Sequence, residues 1–179
     1  MRDLIIEATI DALKSVKHPR FFRTERGYHG RFYCALQSVL DQRMSLDDAC
    51  ILEMEYQKSS RHGTGQRPDI VLHIPAGKTR PSVKENNYAV WAFKRKSSVD
   101  GAVDDFRKLD EMFELLCYSL GFFINIGSDE HLLKNYTGAY PDRIIAFAVR
   151  RKADVIEIRQ AYIEGGQIIE PCINALPGR

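Results

Sequence analysis

Arg67-Pro68-Asp69-Ile70-Val71-Leu72-His73-Ile74 and, after thirteen intervening residues, Tyr88-Ala89-Val90-Trp91-Ala92-Phe93-Lys94-Arg95 are the two stretches on which the reading of this chain turns. Each is a short apolar run bounded by polar, Gly- or Pro-bearing segments, which is the pattern of a buried strand. Pro75 stops the first. An aspartate opens one strand and a lysine ends the next. Along the first, Asp69, Val71 and His73 share a face; along the second, Tyr88, Val90, Ala92, Lys94 and Lys96 do. Pairing of the two strands would bring Asp69, position 92 and Lys94 together.

Upstream, residues 50–58 alternate, with Leu52, Met54 and Tyr56 on one side and Glu53, Glu55 and Gln57 on the other. That period predicts a strand carrying two carboxylates on one face. The polar, glycine-bearing segment 58–67 then delivers the chain to Asp69. Earlier still, Leu4, Ile5, Ala8, Ala12, Leu13 and Val16 predict an amphipathic helix ended by His18-Pro19. Phe32, Tyr33, Leu36, Val39 and Leu40 predict a second, over about 28–43, with His29 on its apolar face. Downstream, a long helix is expected over about 99–119, with Val103, Phe106, Leu109, Met112, Phe113 and Leu116 as its buried stripe and Gly121 near its end. A strand over 122–126, a helical turn within 129–135 and a strand pair at 144–150 and 154–162 complete the pattern. Helix, three strands, helix, strand and further strands imply an α/β sandwich with a mixed sheet.

A chain of 179 residues with 44% hydrophobic and 28% charged content predicts one globular domain, 1–179, with its core over about 28–126 and C-terminal strands to about 162. The net charge is only +2, so a polyanion surface must be local. Cys34, Cys50, Cys117 and Cys172 are widely spaced and form no C-x-x-C pair, which predicts reduced thiols in a cytoplasmic protein. No run approaches the length of a membrane span, and no signal-peptide core is visible. Zinc is not expected, because no His/Cys cluster has ligand spacing, and Gly63-Thr64-Gly65 lacks the lysine and following helix of a phosphate-binding loop.

Asp69 and Lys94 at the ends of adjacent strands suit metal-assisted phosphodiester hydrolysis. Mg²⁺ takes oxygen ligands and keeps several waters, so two carboxylates and one backbone carbonyl suffice as the protein's share. Asp69, an acid two residues before the lysine and the Phe93 carbonyl would supply them, with Lys94 holding or helping to deprotonate the attacking water. Ala92 stands where that acid is needed. Glu53 and Glu55 are the nearest alternatives by strand parity.

Pro68-Asp69 and Lys94, with the strand, strand, helix context, resemble the PD-(D/E)XK nuclease superfamily, from which Ala92 departs. The resemblance covers residues 28–126 and implies a restriction-endonuclease-like α/β sandwich with a mixed central sheet flanked by helices. It implies a Mg²⁺- or Mn²⁺-dependent DNA endonuclease, in defence against foreign DNA, with Asp69, position 92, Lys94 and Glu55 catalytic and Asp69, Glu55 and the Phe93 carbonyl on the metal. His29, Glu53, Gln57 and His73 are further candidates. Arg31, Arg61, Arg67, Arg80, Lys84, Arg95 and Lys96 would contact DNA phosphates. A homodimer would allow both strands to be cut.

Blander readings stand beside these. Asp69 also reads as a turn aspartate, Lys94 as part of a solvated Lys94-Arg95-Lys96 run, Glu53 and Glu55 as an exposed strand face, and His29 as a structural histidine. Ala92 reads either as an engineered replacement that keeps metal and substrate without turnover, or as a natural loss that leaves a protein binding DNA or a protein partner. The intact flanks favour the first.

Overall fold

In the computed structural model, residues 1–43, 50–54, 68–75 and 87–173 are described. Helix α1 (Arg2–Ser15) and helix α2 (Glu25–Arg43) are joined through a 3₁₀ turn at Pro19–Arg23. Strands β1 (Ile51–Met54), β2 (Ile70–His73) and β3 (Asn87–Arg95) follow, then helix α3 (Val99–Leu116) and strands β4 (Leu120–Ile126), β5 (Ile144–Lys152), β6 (Val155–Glu164) and β7 (Gln167–Ile169). The strands form one sheet in chain order. β3, β4 and β5 run parallel and every other neighbouring pair is antiparallel, so the sheet is mixed, as expected.

β3 sits third in the sheet with a helical layer on each side, which is why its sequence is apolar almost throughout. Ala89, Trp91 and Phe93 enter the core with α1 and α2. Val90 and Ala92 pack with α3. The α1/α2 layer is pinned to β3 by specific contacts. Trp91 donates from its indole Nε1 to Thr9 Oγ1 of α1 at 3.1 Å and stacks on Phe122 of β4. Phe93 meets Tyr28, His29 and Phe32 of α2.

Several sequence expectations need correction. Tyr88 packs with the α1/α2 core instead of sharing the face of Val90 and Ala92. The cause is a register shift: Leu72 pairs with Ala89 but His73 pairs with Asn87, which leaves Tyr88 without a partner on β2. Val103 is 40% exposed and lies off the buried stripe of α3. That helix ends at Leu116, because Cys117 turns into the left-handed region at φ 55°. Gly121 instead lies inside β4. The strand β7, only three residues long, extends the sheet beyond residue 162. The expected helical turn within 129–135 is a 3₁₀ turn at Leu133–Asn135. No disulfide links the cysteines, and no described helix is long and apolar enough to cross a membrane.

At Gly121, α3 lies close on the sheet. A Cβ there would stand 2.4 Å from the Phe113 ring, so the absence of a side chain sets how tightly the helix lies on β4. Gly121→Ala is therefore expected to destabilise the fold by about 1–3 kcal/mol, the usual range for overpacking, read as a lowered denaturant midpoint.

Candidate active site

A cavity of about 130 Å³ opens between β2, β3 and α3. Its lining includes Asp69, Ala92 and Lys94, so the three positions singled out in the sequence do meet in space. The meeting follows from strand geometry. Backbone pairing of β2 with β3 runs as far as Ile70 opposite Trp91, and just beyond it the Asp69 carboxylate accepts the Phe93 N–H at 2.8 Å. One end of the carboxylate is thereby fixed to β3 beside Ala92 and Lys94.

The Asp69 backbone is fixed from the other side of the sheet. Its carbonyl lies 2.9 Å from His29 Nε2, and a carbonyl can only accept, so that nitrogen carries the proton. The His29 ring stacks on Phe93 at 5.1 Å. His29 is thus a positioning residue beneath the site.

Helix α3 adds what the sequence reading missed. Asp105, 4% exposed, lines the cavity with its carboxylate between two lysines: Lys108 Nζ lies 2.9 Å from Oδ1 and Lys94 Nζ 3.7 Å from Oδ2. Oδ2 accepts no hydrogen bond among the described residues. The signal was legible: Asp105 stands at helical spacing with Ala102, Leu109 and Met112, and an acid on the buried stripe of a helix needs a partner.

The remaining candidates fall elsewhere. Glu53 Oε2 is 3.1 Å from His73 Nε2, at the far end of β2 from Asp69, and neither residue lines the cavity. Glu55, Gln57, Arg61, Arg67, Arg80 and Lys84 lie outside the described residues. Arg31 and Lys96 are exposed. Arg95 is exposed too, but its Nε donates to the Phe22 carbonyl and its backbone N–H to Glu25, which ties the end of β3 to the start of α2.

Burial pushes the Asp69 carboxyl up to about 6, with smaller upward pushes from Glu25 and Asp105; the Phe93 N–H and Lys94 pull it down. The residues present suit a hard divalent ion. Two carboxylates face a cavity with room for water, and among the described residues one buried carboxylate oxygen accepts no hydrogen bond. Among the described residues no three His, Cys, Asp or Glu side chains converge, so such an ion would keep several waters.

Comparison with known proteins gives a likeness of fold. No family model matches the chain, and no curated protein does. Among solved structures, NucC of E. coli MS115-1, in its cAAA-bound form, matches with a TM-score of 0.50 and 15% identity over 95% of this chain and 80% of that one. The restriction-endonuclease-like α/β sandwich expected from the sequence is consistent with that architecture.

The raised Asp69 value sets a pH dependence of stability. Below the unfolded value of about 3.9 both states hold the proton, and burial carries no penalty. Between there and about 6 the unfolded chain releases its proton first, so stability falls as pH rises and levels off once the folded carboxyl has ionised. The full loss is about 2–3 kcal/mol. Asp69→Asn removes it while leaving an acceptor for the Phe93 N–H. Urea denaturation should find this variant more stable than the parent by roughly 2 kcal/mol at neutral pH, with the gap closing towards pH 4.

Proposed function

We propose that this chain is a nuclease-fold hydrolase that cleaves phosphodiester bonds in DNA with Mg²⁺ or Mn²⁺, acting in the cytoplasm in defence against foreign DNA. The observation that carries the reading is the convergence of Asp69, Lys94 and the buried Asp105 on one small cavity. Residues from the entry to β2, from β3 and from α3 place two acids and a lysine where packing alone would favour apolar side chains.

In this reading Asp69 and Asp105 would hold the ion, with the Phe93 carbonyl as a third donor. A bound divalent ion supplies a Lewis acid for the phosphoryl oxygen and lowers the pKa of water. Lys94, at the cavity mouth with its side chain 37% exposed, holds the attacking water and offsets charge gathering on the phosphoryl group. The Phe93 N–H keeps Asp69 from turning away, and His29 keeps the Asp69 backbone in place. Glu55 stays a candidate ligand, and the basic residues of the segments around β2, with Arg31 and Lys96, are candidate phosphate contacts. A homodimer would set two such cavities on opposite strands.

Ala92 favours a second reading, a silent nuclease-fold protein that binds DNA or a protein partner. Its methyl packs against the α3 core and adds no ligand. If an acid was removed at that position, the flanking strand has kept its form.

Mn²⁺-dependent nicking of supercoiled plasmid separates the readings. Nicking by the chain as it stands, lost about a hundredfold or more in both Asp69→Ala and Asp105→Asn, assigns the second acid to Asp105. Nicking that appears only with Ala92→Glu and vanishes in its Asp69→Ala derivative assigns it to position 92. No nicking by either, with DNA still bound by both, establishes the silent binder.

A further inference from the structure

Lys108 has no part in the mechanism above, yet it is the nearest cation to Asp105. It stands one helical turn along α3, its Nζ 2.9 Å from Asp105 Oδ1 and its side chain 40% exposed at the cavity rim. Lys94 approaches the other oxygen of the same carboxylate from β3. A surface i, i+3 pair would be unremarkable, but Asp105 is not on the surface: its side chain is 5% exposed. Two lysines converge on one buried acid, and a second acid, Asp69, shares their cavity.

We propose that Lys108 is a charge-exchange residue of the site: it holds Asp105 when no metal is bound and, when metal takes that carboxylate, turns to a non-bridging oxygen of the nucleic-acid phosphodiester. The inference rests on the functional reading above and deepens it. Charge balance is the argument. In the empty site the ionised Asp69 and Asp105 are matched by Lys94 and Lys108. A divalent ion adds two positive charges, and a phosphodiester monoanion with a hydroxide nucleophile adds two negative ones, so the loaded site is neutral again only if both lysines stay. A low-dielectric cavity makes that neutrality matter, because each unmatched charge is weakly screened. The lysine side chain suits the exchange. Its ammonium is a point charge on a flexible four-carbon stem, able to leave one oxygen for another without moving the helix. Asp105 faces inward while Lys108 reaches the rim, so an incoming phosphate meets the lysine before the acid.

The exchange makes metal and DNA respond in opposite directions, which a merely structural ion pair would not. The test uses the full chain with Lys108→Met, which keeps the aliphatic stem, and Lys108→Arg, which keeps the charge. Mn²⁺ binding is measured by calorimetry, and binding of a short fluorescent DNA duplex by anisotropy in Ca²⁺. Lys108→Met should bind Mn²⁺ several-fold more tightly, because the competitor for Asp105 is gone. The same variant should bind the duplex about tenfold more weakly, with the slope of log affinity against log salt smaller by about one. Lys108→Arg should restore duplex binding. Metal and duplex affinities that both stay put, or both fall, overturn the inference. Wild-type chain that takes up no more Mn²⁺ than Asp69→Ala overturns the functional reading, and the inference with it; wild-type uptake with no shift in Lys108→Met overturns the inference alone.

Discussion

The hydrogen bond from the Phe93 N–H to the Asp69 carboxylate is the point on which the site depends. Backbone pairing between β2 and β3 stops at Ile70 and Trp91, and a side chain takes over where the ladder ends. The bond holds the aspartate against β3 at the level of Ala92, so the acid and Lys94 become neighbours although twenty-five residues separate them. His29 completes the clamp from the opposite layer by holding the Asp69 carbonyl. Held out of solvent in this way, the carboxylate has its proton affinity raised by burial, although the Phe93 N–H itself pulls the other way.

The layered fold explains how one sheet serves both packing and chemistry. Along β3, alternate residues serve different masters: Ala89, Trp91 and Phe93 build the core with α1 and α2, while Val90, Ala92 and Lys94 face α3. α3 must lie close to the sheet for Asp105 to reach the cavity, and the missing side chain at Gly121 permits that approach. Beyond Leu116 the left-handed Cys117 turns the chain back into β4. β4 then runs parallel to β3 and seals its far side.

Much of this was legible in the sequence because strand parity is a hard rule. Alternation, together with pairing of the two strands, allowed Asp69 and Lys94 to share one site, and the α/β order implied the mixed sheet. Asp105 escaped because the apolar stripe of α3 was traced through Val103, a choice one position off in phase; tracing it through Ala102 puts Asp105 on the inner face. Tyr88 was misplaced by the register shift opposite Leu72 and His73, since an extra residue inverts the faces on either side of it. Glu53 obeyed parity, yet its carboxylate went to His73, a partner that periodicity cannot choose.

Trp91 is the only tryptophan in the chain. Its indole reaches α1 through Thr9, its ring lies flat on Phe122 of β4, and its backbone neighbour is Ala92. The molecule thus carries a single indole, excitable apart from its eight tyrosines, at the junction of the α1/α2 layer and the sheet. Emission from that one indole reports on the seating of α1 against the sheet, without any label and without a second tryptophan to dilute the signal.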